Sequence, residues 1–505
     1  GVTIKSIRAV LKKGNQLVKT LDIPENQLST ILENLDYYKG YTLTTTMIYD
    51  RGNGDETETL VEQPIQLDLK KIELKDIQRT DLIKYDSANK LETDETRLTS
   101  VPTDLSPYYL KVTSNDHKTN LLAVKKIEET TVDGKQVYKV TAVADNLVQR
   151  KADNHFSDEY TYYIEKSKEH DGDVYYDFAD LIKAMQANPL GNFKLGQSMS
   201  ALHVPPVVNS KSYVSSEFKG TITSNGDKRY AIYDLERPLF DVMNNATVEG
   251  VNLEKVQIKL AGQDNIASIA RVMKGSSTIK DVKVTGSVTG KNNVSGLVNS
   301  MEQGTKMTNV AFLGKIHSSG WNSVSGGIAG RLYQAIVEKA YVDATITGNK
   351  VQASSLVPQV DHGMNSWLSG TTSILTKSVA KGTIDVVNAN KVGAISSKTW
   401  PWGTVKDNVS YVDVKNGEML FGSDDVQDEY AAPQIDKLYS VENYSKGQKS
   451  YNKYPQKFIQ LTEAEAAEKV KSYGITADTF ESEPLVIDQL NQVTNKEKAY
   501  QTIQD

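Results

Sequence analysis

"VSGLVNS" spans Val294–Ser300 and "VSGGIAG" spans Val324–Gly330, thirty residues apart. Two kinds of structure produce such a pair. A phosphate-cradling loop sets its glycines between a strand and a helix, with a basic partner nearby. A repeat returns the same pattern at a fixed period. The second reading fits, because Ile266, Val294, Val324, Val351 and Val392 open "IASIARV", "VSGLVNS", "VSGGIAG", "VQASSLV" and "VGAISSK" in one register.

A second register interleaves with the first. "VEGVNL" from Val248, "IKDVKVTGSV" from Ile279, "MTNVAFLGKI" from Met307, "VEKAYVDATI" from Val337, "LTKSVAKGTI" from Leu375 and "VKDNVSYVDV" from Val405 follow one another at spacings of 31, 28, 30, 38 and 30. The ninth residue after each of the last five starts is Val288, Ile316, Ile346, Ile384 and Val414, an apolar ladder over five consecutive repeats. Short strands recurring about every 30 residues, with Gly or Ala where backbones crowd, predict a stacked-coil β-solenoid whose coils bury their apolar rows only against each other.

Outward from the repeats, the chain divides into four parts. Residues 1–72 read as an immunoglobulin-like β module: Tyr41, Leu43, Thr45, Met47 and Tyr49 alternate on one side of a strand that Gly52-Asn53-Gly54 reverses. Residues 73–165 repeat such signals around turns at Asn115-Asp116 and Asp133-Gly134, as a second β module. Residues 166–430 hold the solenoid. It is preceded by a capping helix with Phe178, Leu181, Ile182 and Met185 on one face, Asp177 as N-cap, and Pro189 and Gly191 as the stop. Residues 431–505 read as a connector and a helical segment leading toward a following domain, with Thr462 and Glu465 in capping-box spacing and Gly474 as the stop. The fold class expected is mainly β: two small β-sandwich-like modules, a β-solenoid of about six coils with a capping helix, and a C-terminal helical segment.

Composition narrows the function. With 58 basic and 64 acidic residues the net charge is -6, which gives no basic field for nucleic acid or anionic lipid, and no segment is apolar enough for membrane insertion. Cysteine is absent, so disulfides, thiolate nucleophiles and thiolate zinc sites are excluded. None of the six histidines (His117, His155, His170, His203, His317 and His362) is followed by Glu, so the helical His-Glu-x-x-His motif does not occur in these residues. "EHDGDVYYD" around Asp171 lacks the glycine and glutamate positions of a calcium loop and reads as an acidic turn at a helix start. A glycan-cleaving solenoid would need paired carboxylates at one height and phase of neighbouring coils, and no two adjacent repeats share such a phase. No catalytic, cofactor-binding or metal residue is therefore assigned.

The aromatic placement is more informative. All four tryptophans fall within the repeats, and Trp367, Trp400 and Trp402 occupy same-phase loops before Leu375 and Val405. Trp367 and His362 sit in the one repeat that is about eight residues too long. Insertions in repeat proteins collect on one face, often the binding face. Trp321, Trp367, Trp400, Trp402 and His362 are therefore the candidate contacts for substrate or for a neighbouring domain, against the alternative that the rings only cover a solenoid edge.

"YDFADLIKAMQANPLGNFKLGQSMSA", then "EFKGTITSNGDKRYAIYDLERPLFDVM", then the two glycine-punctuated stretches quoted first resemble the N-terminal, non-catalytic region of the streptococcal surface zinc metalloproteases, the immunoglobulin A proteases and their paralogues. "YTLTTTMIYDRGNGDETETL" and "LDLKKIELKDI" resemble the β module of the same family. The resemblance implies a secreted or cell-wall-associated parent that uses zinc in a separate catalytic domain and cleaves a host glycoprotein such as the immunoglobulin A heavy chain. It also implies that this stretch is the scaffold and substrate-engaging portion of something longer. The family's zinc motif has no counterpart here, so no ligand or catalytic base carries over. Two other readings stay open from the residues alone: a non-enzymatic adhesin for host protein or glycan, and a glycan-active β-helix enzyme.

Overall fold

The computed structural model describes residues 1–27, 30, 32, 41–65, 72, 76–144, 159–361, 373–389, 391–399, 403–415, 435–444 and 458–492. The chain forms two compact units, residues 1–166 with 487–505, and residues 167–486.

The first unit holds two antiparallel sheets. In one, Tyr41–Asp50 pairs with Thr3–Lys13 on one side and with Asp55–Thr59 and Gln63–Ile65 on the other, while Gln16–Ile23 pairs with Thr3–Lys13. The Gly52-Asn53-Gly54 turn forms because Asp50 Oδ1 accepts from the backbone N–H of Gly52 at 2.7 Å and of Gly54 at 3.1 Å. Both glycines adopt φ near +105°, which a side chain resists. The other sheet has six strands, ordered Glu159–Glu165, Lys135–Val143, Thr119–Val132, Tyr108–Ser114, Ile77–Asp86, Leu91–Asp94. Tyr160 and Thr80 stand on strands four apart in that order, yet their hydroxyls are 2.8 Å apart, so the sheet curls over its core of Leu82, Leu110, Val112, Tyr138 and Val140. Burial pushes the Tyr160 phenol up to about 12. On the open edge of that sheet, Asn491 accepts from Tyr163 N at 2.8 Å and donates to Tyr163 O at 3.0 Å. One side-chain amide thus occupies both ladder positions of a residue that would otherwise template strand addition.

The second unit is the solenoid, of about seven turns. Its parallel strands stack into three sheets. The inward ladder of the first runs Ile222, Val248, Ile279, Met307, Val337, Leu375, Val405, Ile435. That of the second runs Val288, Ile316, Ile346, Ile384, Val414, as the spacing predicts. That of the third runs Met243, Met273, Met301, Leu332, Val360. The residues of these ladders are buried. Thr221–Ser224 and Ile435–Val441 extend the stack beyond the six repeats read from spacing, and Asn192–Leu195 and Phe458–Leu461 pair outside them in turn.

The long strands Thr278–Gly290, Lys306–Ser318 and Ile336–Asn349 each serve two sheets by bending at one residue of positive φ: Asp281 at 53°, Asn309 at 51° and Lys339 at 52°. The same corner column continues through Lys377, Asp407 and Lys437. Helix α1, Phe178–Ala187, closes the first coil with Phe178, Leu181, Ile182 and Met185 buried and Asp177 accepting from Asp180 N. An aromatic stack continues its apolar face inward: Phe178 lies edge-on to Tyr213 at 4.9 Å, and Phe218 stacks on Phe240 at 4.3 Å.

The stretches first read as strands each carry a bend within them: Val324–Gly326 and Ala329–Tyr333 are strands on either side of Gly327 and Ile328, and Val298–Met301 is a strand after the bend at Gly296. Ile266 and Val294 share a single bridge, and Val324–Gly326 pairs with Gln352–Ser354, so Val324 registers with Gln352 rather than with Val351. The bend keeps the inter-coil hydrogen bonds, with Gly296 N to Gly326 O at 3.0 Å and Gly327 N to Ser355 O at 2.9 Å. A Cβ on Gly296 would lie 1.9 Å from Gly327 O, and one on Gly327 would lie 2.1 Å from Ser355 O and 2.7 Å from Val342 Cγ1. These glycines are required by backbone-on-backbone stacking.

Gly327→Ala should therefore destabilise the solenoid by about 1–3 kcal/mol through forced displacement of a packed coil. Gly262→Ala, where a Cβ meets nothing within 4 Å, should stay within about 0.5 kcal/mol. Denaturant midpoints compare the two, and equal midpoints would contradict the stacking argument.

Candidate interaction surface

Helix α2, Glu463–Tyr473, forms as its sequence predicts: Thr462 Oγ1 accepts from Glu465 N, the Glu465 side chain accepts from Thr462 N, and Gly474 ends it at φ 67°. It lies on the solenoid. Ala466 and Tyr473 cover an outward apolar column of Val379, Val409 and Tyr439, with Tyr341 at its margin. Tyr473 OH donates to Asp407 Oδ1 at 2.8 Å, and burial together with that bond raises its pKa.

From there the chain runs back along the corner column as a strap. Asn309 Oδ1 accepts from Thr476 N and Ala477 N at 2.9 and 3.0 Å, while its Nδ2 donates to Asp281 Oδ1 and to Thr476 Oγ1, both at 2.8 Å. Phe480 lies 3.8 Å under the Arg229 guanidinium carbon. Glu483 N donates to Arg229 O, and Glu483 O accepts from Tyr233 OH at 3.1 Å and from Ser198 Oγ. Segment 462–483 thus ties the last coils to the first. This clasp has no local sequence signal, since Asn309 and Thr476 are 167 residues apart.

A cleft of about 390 Å³ opens beside the strap among Thr223, Gly226, Lys228, Arg229, Glu249 and Asp281. Its one half-buried cation, Arg229, donates to Asp281 O and Asn252 Oδ1 and carries Phe480 on its face, so its charge holds structure together. Burial lowers its pKa.

The outward face of the second sheet is flat and polar. Ser287, Lys315, Thr345, Thr383 and Asp413 register in one row, and Thr289, His317, Thr347 and Asp385 in the next. His317 Nδ1 is 2.7 Å from Thr347 Oγ1. Towards the last coils, Lys381 Nζ lies 5.2 Å from the Tyr341 ring centre and 4.9 Å from that of Tyr411, a cation held between two aromatic faces.

Of the residues expected to make contacts, Trp321 is described and is 70% exposed. Trp367, Trp400, Trp402 and His362 lie outside the described residues. The described strands on either side of them are neighbours: Gln359–Asp361 pairs with Lys398–Thr399, and Ser373–Thr376 with Gly403–Ser410. Trp321 lies at the corner after the second sheet, between Lys306–Ser318 and Val324–Gly326.

Among the described residues no group of three His, Cys, Asp or Glu could hold a metal ion. His170 bonds Asp180 at 2.8 Å and stacks on Tyr175, and His317 bonds Thr347. These side chains do not fit a zinc site. Among the described paired strands of the solenoid no carboxylate is registered against another. What the arrangement offers is long, rigid surface. Among the described residues no helix is long and apolar enough to cross a membrane.

Comparison with known proteins matches residues 34–286 to the family model described as the N-terminal region of the M26 IgA1-specific metallo-endopeptidases. The chain is 56% identical to the zinc metalloprotease ZmpB of Streptococcus pneumoniae, over 99% of this chain and 26% of that protein. It is 29% identical to the immunoglobulin A1 protease of Streptococcus sanguinis, over 70% of this chain and 19% of that protein. A solved structure titled "IgA1 Protease" superimposes with a TM-score of 0.54 at 24% identity, covering 82% of this chain and 32% of that one, and shares the fold. The chain spans about a quarter or less of the length of these curated relatives.

Asn309→Ala leaves two backbone N–H groups of the strap without their acceptor, at a cost of about 1 kcal/mol or more. Hydrogen exchange should rise in peptides covering 475–485 while the inward ladders stay protected. Unchanged exchange in those peptides would show that the strap is held by other contacts.

Proposed function

Because this chain belongs to the M26 IgA1-specific metallo-endopeptidase N-terminal family, we propose that it is the scaffold and substrate-engaging region of a secreted or cell-wall-associated bacterial zinc metalloendopeptidase acting on a host glycoprotein such as the immunoglobulin A heavy chain. One observation carries the reading. A solenoid of about seven turns, its last coils tied to its first by its own strap, presents a long polar sheet face and an exposed tryptophan. Such a body contributes binding energy and orientation to a reaction performed elsewhere.

In this division of labour, zinc and the catalytic base belong to residues beyond these 505. The solenoid lowers the cost of bringing a large substrate to them. Interactions remote from the reacting bond matter for the whole glycoprotein and not for a short peptide that spans only the cleavage site.

The test is kinetic. The intact protease and a form lacking residues 1–486 should cleave a short peptide substrate at similar kcat/KM. On the intact glycoprotein the shortened form should lose at least about tenfold, equal to about 1.4 kcal/mol of lost interaction. Equal kcat/KM on the glycoprotein would overturn the proposal.

A further inference from the structure

The corner after the second sheet carries an exposed indole on a fixed backbone. Ser319 N donates to Gly290 O and Gly320 N to Lys291 O, both at 2.9 Å, and Asn322 N donates to Asn292 Oδ1 at 3.2 Å. A Cβ on Gly320 would lie 2.2 Å from Asn292 Oδ1, so the glycine lets this backbone close onto the neighbouring coil. Trp321 is therefore placed by its neighbours' hydrogen bonds, while the residue, 70% exposed, contributes little to the core. The preceding coil sets Lys291 and Asn292 beside it. In the following coil residues 348–351 stand opposite 318–323, because His317 registers with Thr347 and Val324 with Gln352, so Asn349 and Lys350 form the facing corner. One coil further, Val387 registers with Asn349 and is also exposed.

We propose that Trp321, flanked by Asn292, Asn322 and Asn349 and by Lys291 and Lys350, is a binding site for an oligosaccharide bearing a carboxylate. An indole face offers a flat apolar platform to the C–H side of a pyranose ring. Planar amides both donate to and accept from sugar hydroxyls, and lysine ammonium groups favour a sugar acid. A protein partner is the weaker fit. Aromatic hot spots in protein interfaces sit in well-packed, desolvated pockets, whereas this ring stands on an open ridge whose near neighbours are amides and amines. The ridge does not enclose its ligand, so single-site affinity is weak and gains from repeated sugars on one glycoprotein. This site deepens the substrate-engagement reading and rests on it only for the source of the sugar. Free saccharides test it separately.

The experiment is saturation-transfer NMR on the full 505-residue chain with 3′-sialyllactose and with lactose, which lacks the acidic sugar. Transfer to both is expected, with tighter binding of the carboxylated form. Trp321→Ala should weaken both by at least about tenfold with an unchanged unfolding midpoint. The Lys291→Gln, Lys350→Gln double variant should reduce only the difference between the two sugars. Absence of transfer to either sugar, or wild-type binding by Trp321→Ala, would overturn the site. Equal binding of the two sugars would overturn its acidic specificity. Equally tight binding of the chain to glycosylated and enzymatically deglycosylated protein, lost in Trp321→Ala, would show a protein contact instead.

Discussion

The parallel stacking of backbone on backbone governs the rest of the solenoid. Where the chain bends out of the second sheet, the carbonyl of Gly327 occupies the place that a Cβ of Gly296 would need, and the carbonyl of Ser355 does the same to Gly327. The coils can close to hydrogen-bonding distance only because those side chains are missing. That closeness brings the inward columns into register, so that Val288, Ile316, Ile346, Ile384 and Val414 pack one above the next. A glycine pattern that resembles a ligand loop is in this chain a spacing rule.

A stack of coils has two ends and an outer surface, and the chain manages each with a different device. Helix α1 and the aromatic stack from Phe178 to Phe240 close the first end. The strap from Thr462 to Glu483 covers the outward apolar column near the other end and returns along the corner where Asn309 and Asp281 sit. A repeat architecture held only by nearest-neighbour contacts can fray from either end. A strap that touches coils far apart makes their opening costlier, which suits a rigid body that must present a surface.

The parts of this structure carried by local pattern were legible in the sequence. The apolar ladder, the N-cap at Asp177, the capping box at Thr462 and the Gly474 stop each depend on residues a few positions apart or on a repeated period. The strap was not legible, because its partners are joined by hydrogen bonds from Asn309 and Arg229 to segments more than a hundred residues away. The position of Val351 was misread by one residue because the paired strands Val324–Gly326 and Gln352–Ser354 are only three residues long, too short for period-2 alternation to set their register. Among the contact residues, the place of Trp321 at the corner after the second sheet depends on which sheet the turn follows, which spacing alone does not give.

Recognition without chemistry is the functional claim, and it is tested most directly on the isolated chain. Sedimentation or surface plasmon resonance with the glycoprotein that the full-length protease cleaves should show saturable association, with that glycoprotein left intact after prolonged incubation. Absence of association at high micromolar concentration, or cleavage by the isolated chain, would contradict the account.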